Sequence, residues 1–289
     1  MGPLPVAAGD DALFVIKIYL ERFRKNPLAV GGFAFIALLA VASVAAPWLS
    51  PQNPLAQNLL ARLQGPSAAH WLGTDDLGRD VFSRLLLGTR ISLSVGFVAV
   101  GIELLIGVTL GLCAGYFGGR LDSLIMRIVD ILLSIPTIFL ILAVLAFLGP
   151  NIYNVMVIIG FTSWPGLTRL VRGECLSVRE REYMQAARLA GLSTPRLLFV
   201  HLLPNVVAPI LVSATLAVGG AILTESGLSF LGLGVQPPAP SWGNILSVGR
   251  DYMHMAWWLS VFPTAAILLT VLAFNLLGEG LRDVLDPRT

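Results

Sequence analysis

Lysine is almost missing from this chain. Only Lys17 and Lys25 occur in 289 residues, and charged residues of all kinds make up 12% of the sequence. A soluble domain carries roughly 25%. Hydrophobic residues reach 56%. A chain with so little charge is read as a polytopic membrane protein. Its net charge of +2 is too small for a nucleic-acid surface, so no nucleic-acid partner is expected. Cysteine is scarce as well. Cys113 and Cys175 make neither a disulfide framework nor a zinc site and are read as free thiols. The three histidines, His70, His201 and His254, fall in different segments, which leaves no metal site and implies no cofactor.

Catalytic signatures are missing too. There is no His-Glu-x-x-His and no Gly-x-Ser-x-Gly elbow, and "GLSFLG" at Gly227 to Gly232 has the wrong spacing. The aspartates of "TDDLGRD", Asp75, Asp76 and Asp80, lack the ligand spacing of a calcium loop. A Walker A loop needs Gly-Lys-Ser/Thr, and neither lysine follows a glycine. The chain is therefore not expected to be an enzyme, and any ATP must be bound elsewhere.

What the sequence has is long apolar runs. A membrane helix needs about 20 mainly apolar residues. Six stretches qualify: 28–49, 91–117, 128–148, 152–168, 206–223 and 255–277. The expected fold is an all-α bundle of six transmembrane helices. Residues 1–27 form an N-terminal segment and 28–289 the membrane domain, with an outer loop at about 50–90. Pro136 and Pro263 lie inside spans, where neighbouring helices or water can satisfy the freed carbonyl. The first span is longer than the roughly 7–15 residues of a signal-peptide core, so it reads as an uncleaved anchor despite "SVAA" at Ser43 to Ala46. With the N-terminus inside, fourteen of the 19 Lys and Arg residues fall on the cytoplasmic side and five outside. The positive-inside rule favours that orientation, with both termini cytoplasmic.

"EYMQAARLAGLSTPRLLFVHLLPN", Glu182 to Asn205, is out of keeping with this background. It lies in the longest cytoplasmic loop, about 173–205. Glu182 to Ala190 consists of good helix formers. Ala186, Ala187, Ala190 and Gly191 are small enough for a second backbone to approach. Gly191 suits a helix C-terminus that needs positive φ. Ser193 or Thr194 can cap a second helix with Pro195 in its first turn, and Pro204 is expected to close it. A helix–glycine–helix knob of this kind reads as a docking element.

The segment resembles the coupling loop of ABC importer permeases. Their pattern runs Glu-Ala-Ala, three residues, Gly, nine residues, Ile-x-Leu-Pro. Ala186, Ala187, Gly191, Leu203 and Pro204 stand at matching positions, while Gln185 replaces the glutamate and His201 the isoleucine. Both departures resemble the peptide and nickel branch. "GTDDLGRDVFSRLLLGTRISL" (73–93), "AGYFGGRLDSLIMRIVDILLSIP" (114–136), "LSFLGLGVQPPAPSWG" (228–243) and "VLAFNLLGEGLRDVLDP" (271–287) resemble the C-type permease subunit of dipeptide and oligopeptide importers. The resemblance implies a bacterial inner-membrane protein, surrounded by membrane lipid and paired with a homologous permease. It also implies two cytoplasmic ATPase subunits on the coupling loops and an extracytoplasmic substrate-binding protein. Dipeptides, oligopeptides, glutathione and nickel chelates all remain open as cargo.

Three carboxylates stand in or beside the spans. Glu103 lies about 18 Å into its helix at 1.5 Å per residue, where an ionisable group faces a protein interior or a watery path. Glu103 and Glu225 are candidate translocation-path residues, with hydrogen-bonded packing as the other reading of Glu103. Asp130 is read as a structural partner of Arg127 at i,i+3. An intramembrane glutamate also suits a proton-coupled carrier, the alternative of another class.

Overall fold

The computed structural model describes residues 19–285. The N-terminal residues 1–18, with Lys17, and residues 286–289, with Arg288, lie outside the described part. Among the described residues the regular elements are helices, with a single isolated β-bridge between Thr74 and Asp80.

Helix α1 spans Pro27–Leu49, opened by Asn26, whose side chain accepts from Ala29 N–H. A 3₁₀ turn follows at Leu59–Ala61. Helix α2 covers Val81–Phe117 and is capped by Asp80, which accepts from Ser83 N–H. Next are α3 (Gly119–Ser134), α4 (Thr137–Leu148) and α5 (Ile152–Arg179). The short α6 (Glu182–Leu189) and α7 (Thr194–Arg196) lead through a π turn at Leu197–Leu202 into α8 (Leu203–Phe230). Helices α9 (Trp242–Asp251) and α10 (Trp258–Leu285) complete the described chain.

Four helices, α1, α2, the α7–α8 unit and α10, are long and apolar enough to cross a membrane. The α3–α4 pair adds a fifth crossing if it counts as one span. Helix α5 is the remaining member of the expected six. Its apolar part stops at Thr168, and Arg169, Arg172 and Arg179 follow on the same helix.

Several local expectations are corrected. The span expected at 128–148 is not one helix, because α3 and α4 meet at an angle of 88°. Proline lacks an N–H and drives the residue before it out of the α region. Ile135, directly before Pro136, is extended at φ −99°, ψ 126°. Helix α2 begins at Val81, so the irregular segment before it is shorter than the expected 50–90 loop. Pro204 does not close the second short helix but falls in the first turn of α8. The π turn ahead of it passes the chain on without a stop, since Leu203 N–H reaches back to Leu198 O. Asp130 pairs with Arg169 on α5, not with Arg127.

Helices α2 and α5 form the central seam. A β-carbon on Gly111 would lie 2.6 Å from Val171 Cβ, one on Gly115 2.4 Å from Cys175 Cβ, and one on Gly160 2.5 Å from Ala99 O. Hydrogen at these positions permits the close backbone approach, a packing mode of membrane helices. Thr168 Oγ1 also donates to Gly107 O across the seam at 3.2 Å.

Candidate functional site: the coupling segment

The knob is fixed from beneath. Met184 on α6 and Leu197 and Leu202 in the π turn are buried, and they share a cluster with Leu112 of α2, Val171, Cys175 and Val178 of α5, and Val206 and Ile210 of α8. Burying a side chain of this size contributes about 2 kcal/mol. The helix formers around Met184 supply the helix, and the apolar residues on one side supply the anchor. The opposite side is bare. Gln185, Ala186, Ala190 and Gly191 are exposed, and Leu189 is 90% exposed. Phe199 and Val200 add exposed apolar surface from the π turn.

The turn between α6 and α7 follows the expected design. Gly191 adopts φ +73°. Its N–H donates to Arg188 O at 3.0 Å, and Leu192 N–H donates to Ala187 O at 3.3 Å. These are the bonds that close a helix at a left-handed residue. A β-carbon on Gly191 would have nothing within 4 Å. Ser193 is the N-cap of α7, but its side chain makes no capping hydrogen bond.

Of the other predicted residues, Gln185 donates from Nε2 to Glu180 O at 3.2 Å, tying α6 to the end of α5. Ala187 is half-buried against the anchoring cluster. His201 is half-buried in the π turn, and its carbonyl accepts from Asn205 Nδ2 at 2.7 Å. Leu203 packs on the same cluster, and Pro204 is exposed. Arg188 lies over the Tyr116 ring, 5.0 Å from its centre, which fastens α6 to the end of α2. Burial pushes the Tyr183 phenol above its ordinary value against the opposing pull of Arg181, so the group stays neutral.

Neither glutamate belongs to this site. Glu103 is 9% exposed. It stands four residues from both Ala99 and Gly107, on the stripe of α2 that packs against α5. Glu225 is fully buried near the other end of the bundle. Its Oε1 accepts from Ser229 Oγ at 2.6 Å and from Ser241 Oγ at 3.0 Å, which ties α8 to the N-cap of α9.

Sequence reasoning missed a buried ionic cluster beside the start of α2. Asp75 Oδ2 receives Arg79 Nε at 2.6 Å and faces Arg84 Nε at 3.3 Å. Asp80 accepts from Ser83 on one oxygen and meets His70 Nδ1 at 3.0 Å on the other. The signal was present in the Asp/Arg alternation of "TDDLGRD". All three aspartates of the motif are engaged, since Asp76 Oδ1 also lies 3.6 Å from Arg79 Nη2.

Residues 107–289 match the family described as binding-protein-dependent transport system inner membrane component. The chain belongs to that family. Residues 16–66 of the permease also match the N-terminal TM domain of oligopeptide transport permease C. The dipeptide transport system permease protein DppC of Alkalihalophilus pseudofirmus is 47% identical, covering 96% of this chain and 93% of the relative. The glutathione transport system permease protein GsiD of Pectobacterium atrosepticum is 45% identical, covering 100% and 96%. The fold is that of a chain in the inward-facing MetNI methionine ABC transporter. The TM-score is 0.59 at 19% identity, over 71% of this permease and 98% of that chain. The chain is thus the membrane-spanning permease of a binding-protein-dependent ABC importer. The relatives give no support to a proton-coupled carrier.

Proposed function

We propose that this permease, with a homologous permease, forms the translocation path for di- or oligopeptides or a related small solute, and that ATP hydrolysed in two separate cytoplasmic subunits drives it. The observation that carries the reading is the two-sided knob at residues 182–202. It is anchored in the bundle by Met184, Leu197 and Leu202 and presents Leu189, Ala186 and Gly191 outward. Exposed apolar surface of this kind marks an interaction site. We assign it to the ATPase subunit. Ala187, His201 and Leu203 act mainly as its supports, while Gln185 and Pro204 stay at the surface.

Force on the knob has a short way into the bundle. Only Glu180 and Arg181 separate α6 from α5, and the π turn runs without interruption into α8. A displacement of the knob is therefore a displacement of two long helices. This suits alternating access, in which closure of the ATPase pair opens the path to an extracytoplasmic binding protein. Both termini then lie in the cytoplasm. Glu103 and Glu225, the path candidates, are assigned instead to packing between α2 and α5 and to holding α9 on α8.

Reconstitution tests the proposal. The permease pair, its ATPases and the binding protein are placed in vesicles loaded with ATP and held without a proton gradient. Uptake of a dipeptide or glutathione should depend on ATP and on the binding protein. Uptake that needs a proton gradient and no ATPase would refute it.

A further inference from the structure

Helices α3 and α4 leave one continuous stretch uncovered, with Ile131, Leu133, Ser134, Ile135, Thr137 and Ile138 all exposed. Its depth can be read from α5. Ile125 and Val129 of α3 cluster with Trp164, whereas Ile141 and Leu145 of α4 cluster with Val155, Met156, Ile158 and Ile159. The break at Ile135–Pro136 is therefore level with the stretch of α5 between Ile159 and Trp164. That is about 10–18 Å from the start of α5 at 1.5 Å per residue, near the middle of a hydrocarbon core of about 30 Å.

Two features set this stretch apart from a lipid-facing helix surface. The first is backbone. Pro136 has no N–H to give, and among the described residues the carbonyls of Leu133, Ser134 and Ile135 accept no backbone N–H. Non-helical backbone at membrane depth is tolerated only inside protein or beside water. The second is charge. The Asp130–Arg169 pair, five residues before Ile135 on α3, is 63% and 53% exposed on its two side chains. Arg169 directly follows the apolar part of α5, so this open pair stands at the cytoplasmic end of the stretch, where it meets water. The neighbouring Arg172–Asp122 pair is more enclosed, at 29% and 17%, and holds α5 to α3 as a fastener would. The outer pair bridges the same two helices but is left open.

The geometry points to a water-filled passage along this stretch, in which Asp130 and Arg169 form a charged rung for zwitterionic cargo. A peptide carries an ammonium and a carboxylate. The guanidinium fork of Arg169 fits the carboxylate, and Asp130 fits the ammonium, so passing cargo exchanges partners with the pair. The hydroxyls of Ser134 and Thr137 continue the polar track to the break. The inference rests on the transport reading above, and it names the place on this chain where cargo passes.

The experiment uses the whole transporter in vesicles. Thr137→Cys is exposed to a membrane-impermeant methanethiosulfonate, and modified peptides are assigned by mass so that Cys113 and Cys175 are counted separately. Val41→Cys, on an exposed face of α1, is the lipid control. The expected result is modification of Thr137→Cys at least about tenfold faster than of the control, since only the former faces water. Arg169→Gln should lower dipeptide or glutathione uptake severalfold with ATPase attachment unchanged. Equal, slow modification at both positions overturns the passage. Fast modification with normal uptake by Arg169→Gln overturns the rung. If the unmodified complex takes up neither cargo with ATP, the transport reading fails before this one is reached.

Discussion

Changing Gly191 separates the knob's own stability from its role as a contact. At φ +73° an L-residue other than glycine carries a penalty, about 1 kcal/mol. There is no steric addition, because a β-carbon would meet nothing within 4 Å. The loss is small against the three buried anchors Met184, Leu197 and Leu202, each contributing about 2 kcal/mol. Gly191→Asp and Gly191→Asn should therefore both insert, keep the α6–α7 turn and pair with the second permease. Asparagine is the better control because it tolerates the left-handed region and has nearly the volume of aspartate. The two differ in charge. A carboxylate enclosed by a partner without a counter-ion costs about 3 kcal/mol or more, which is roughly a hundredfold in affinity.

The assay is pull-down of the ATPase at equal permease levels, with uptake measured in the same membranes. Gly191→Asp should lose the ATPase or uncouple hydrolysis from uptake. Gly191→Asn should retain most of both. Wild-type attachment and uptake in Gly191→Asp would mean that the exposed side of α6 touches nothing, and the coupling assignment would be withdrawn. Equal loss in both variants would place the defect in the turn and not in the contact.

A reporter active only outside the cytoplasm, fused after Thr289, should be silent; strong activity would reverse the orientation drawn from the arginine distribution. Glu103→Gln should leave transport within about twofold of wild type, because the amide is isosteric and removes a charge from a buried seam; a large change in uptake at normal assembly would return Glu103 to the path. Gly115→Ala places a β-carbon 2.4 Å from Cys175 Cβ, so it should destabilise the α2–α5 seam by about 1–3 kcal/mol. Melting in detergent checks this, and Cys175→Gly in the same chain should recover part of the loss. No recovery would show that the strain lies elsewhere.

Much of the coupling segment was legible because its determinants are local. A run of helix formers sets α6, and a glycine at its end sets the left-handed turn. Neither depends on what the rest of the chain does. The misses share the opposite cause. Helix α2 starts ten residues before its apolar run: that run is bounded by Arg90, and Arg84 puts a second charge in the residues ahead of it. In the fold, Asp75 faces that charge and both are buried. Helical spacing pairs Asp130 with Arg127, yet its partner is 39 residues away on another helix. Pro136 reads in the sequence as a tolerated interruption. Whether a proline bends or breaks a span depends on what neighbouring helices supply to the freed carbonyls, and one chain's periodicity does not record that.

The same distinction explains why the site could be recognised before its mechanics. The knob's outward side is written in small residues at fixed spacing, so a sequence pattern finds it. What makes the knob useful is its attachment, and that is tertiary. Glycines 107, 111 and 115 recur every four residues and form one stripe on α2. They bring α5 close enough for Thr168 to bond to Gly107 O. Arg188 then rests on Tyr116 at the foot of that stripe. A load applied at Leu189 thus reaches α2 through a ring contact, α5 through a two-residue joint and α8 through a π turn. Of these the π turn departs most from regular helix, since its i,i+5 geometry is rare and local. If the segment yields anywhere under load, it should yield at Leu197–Leu202, between the docking surface and α8.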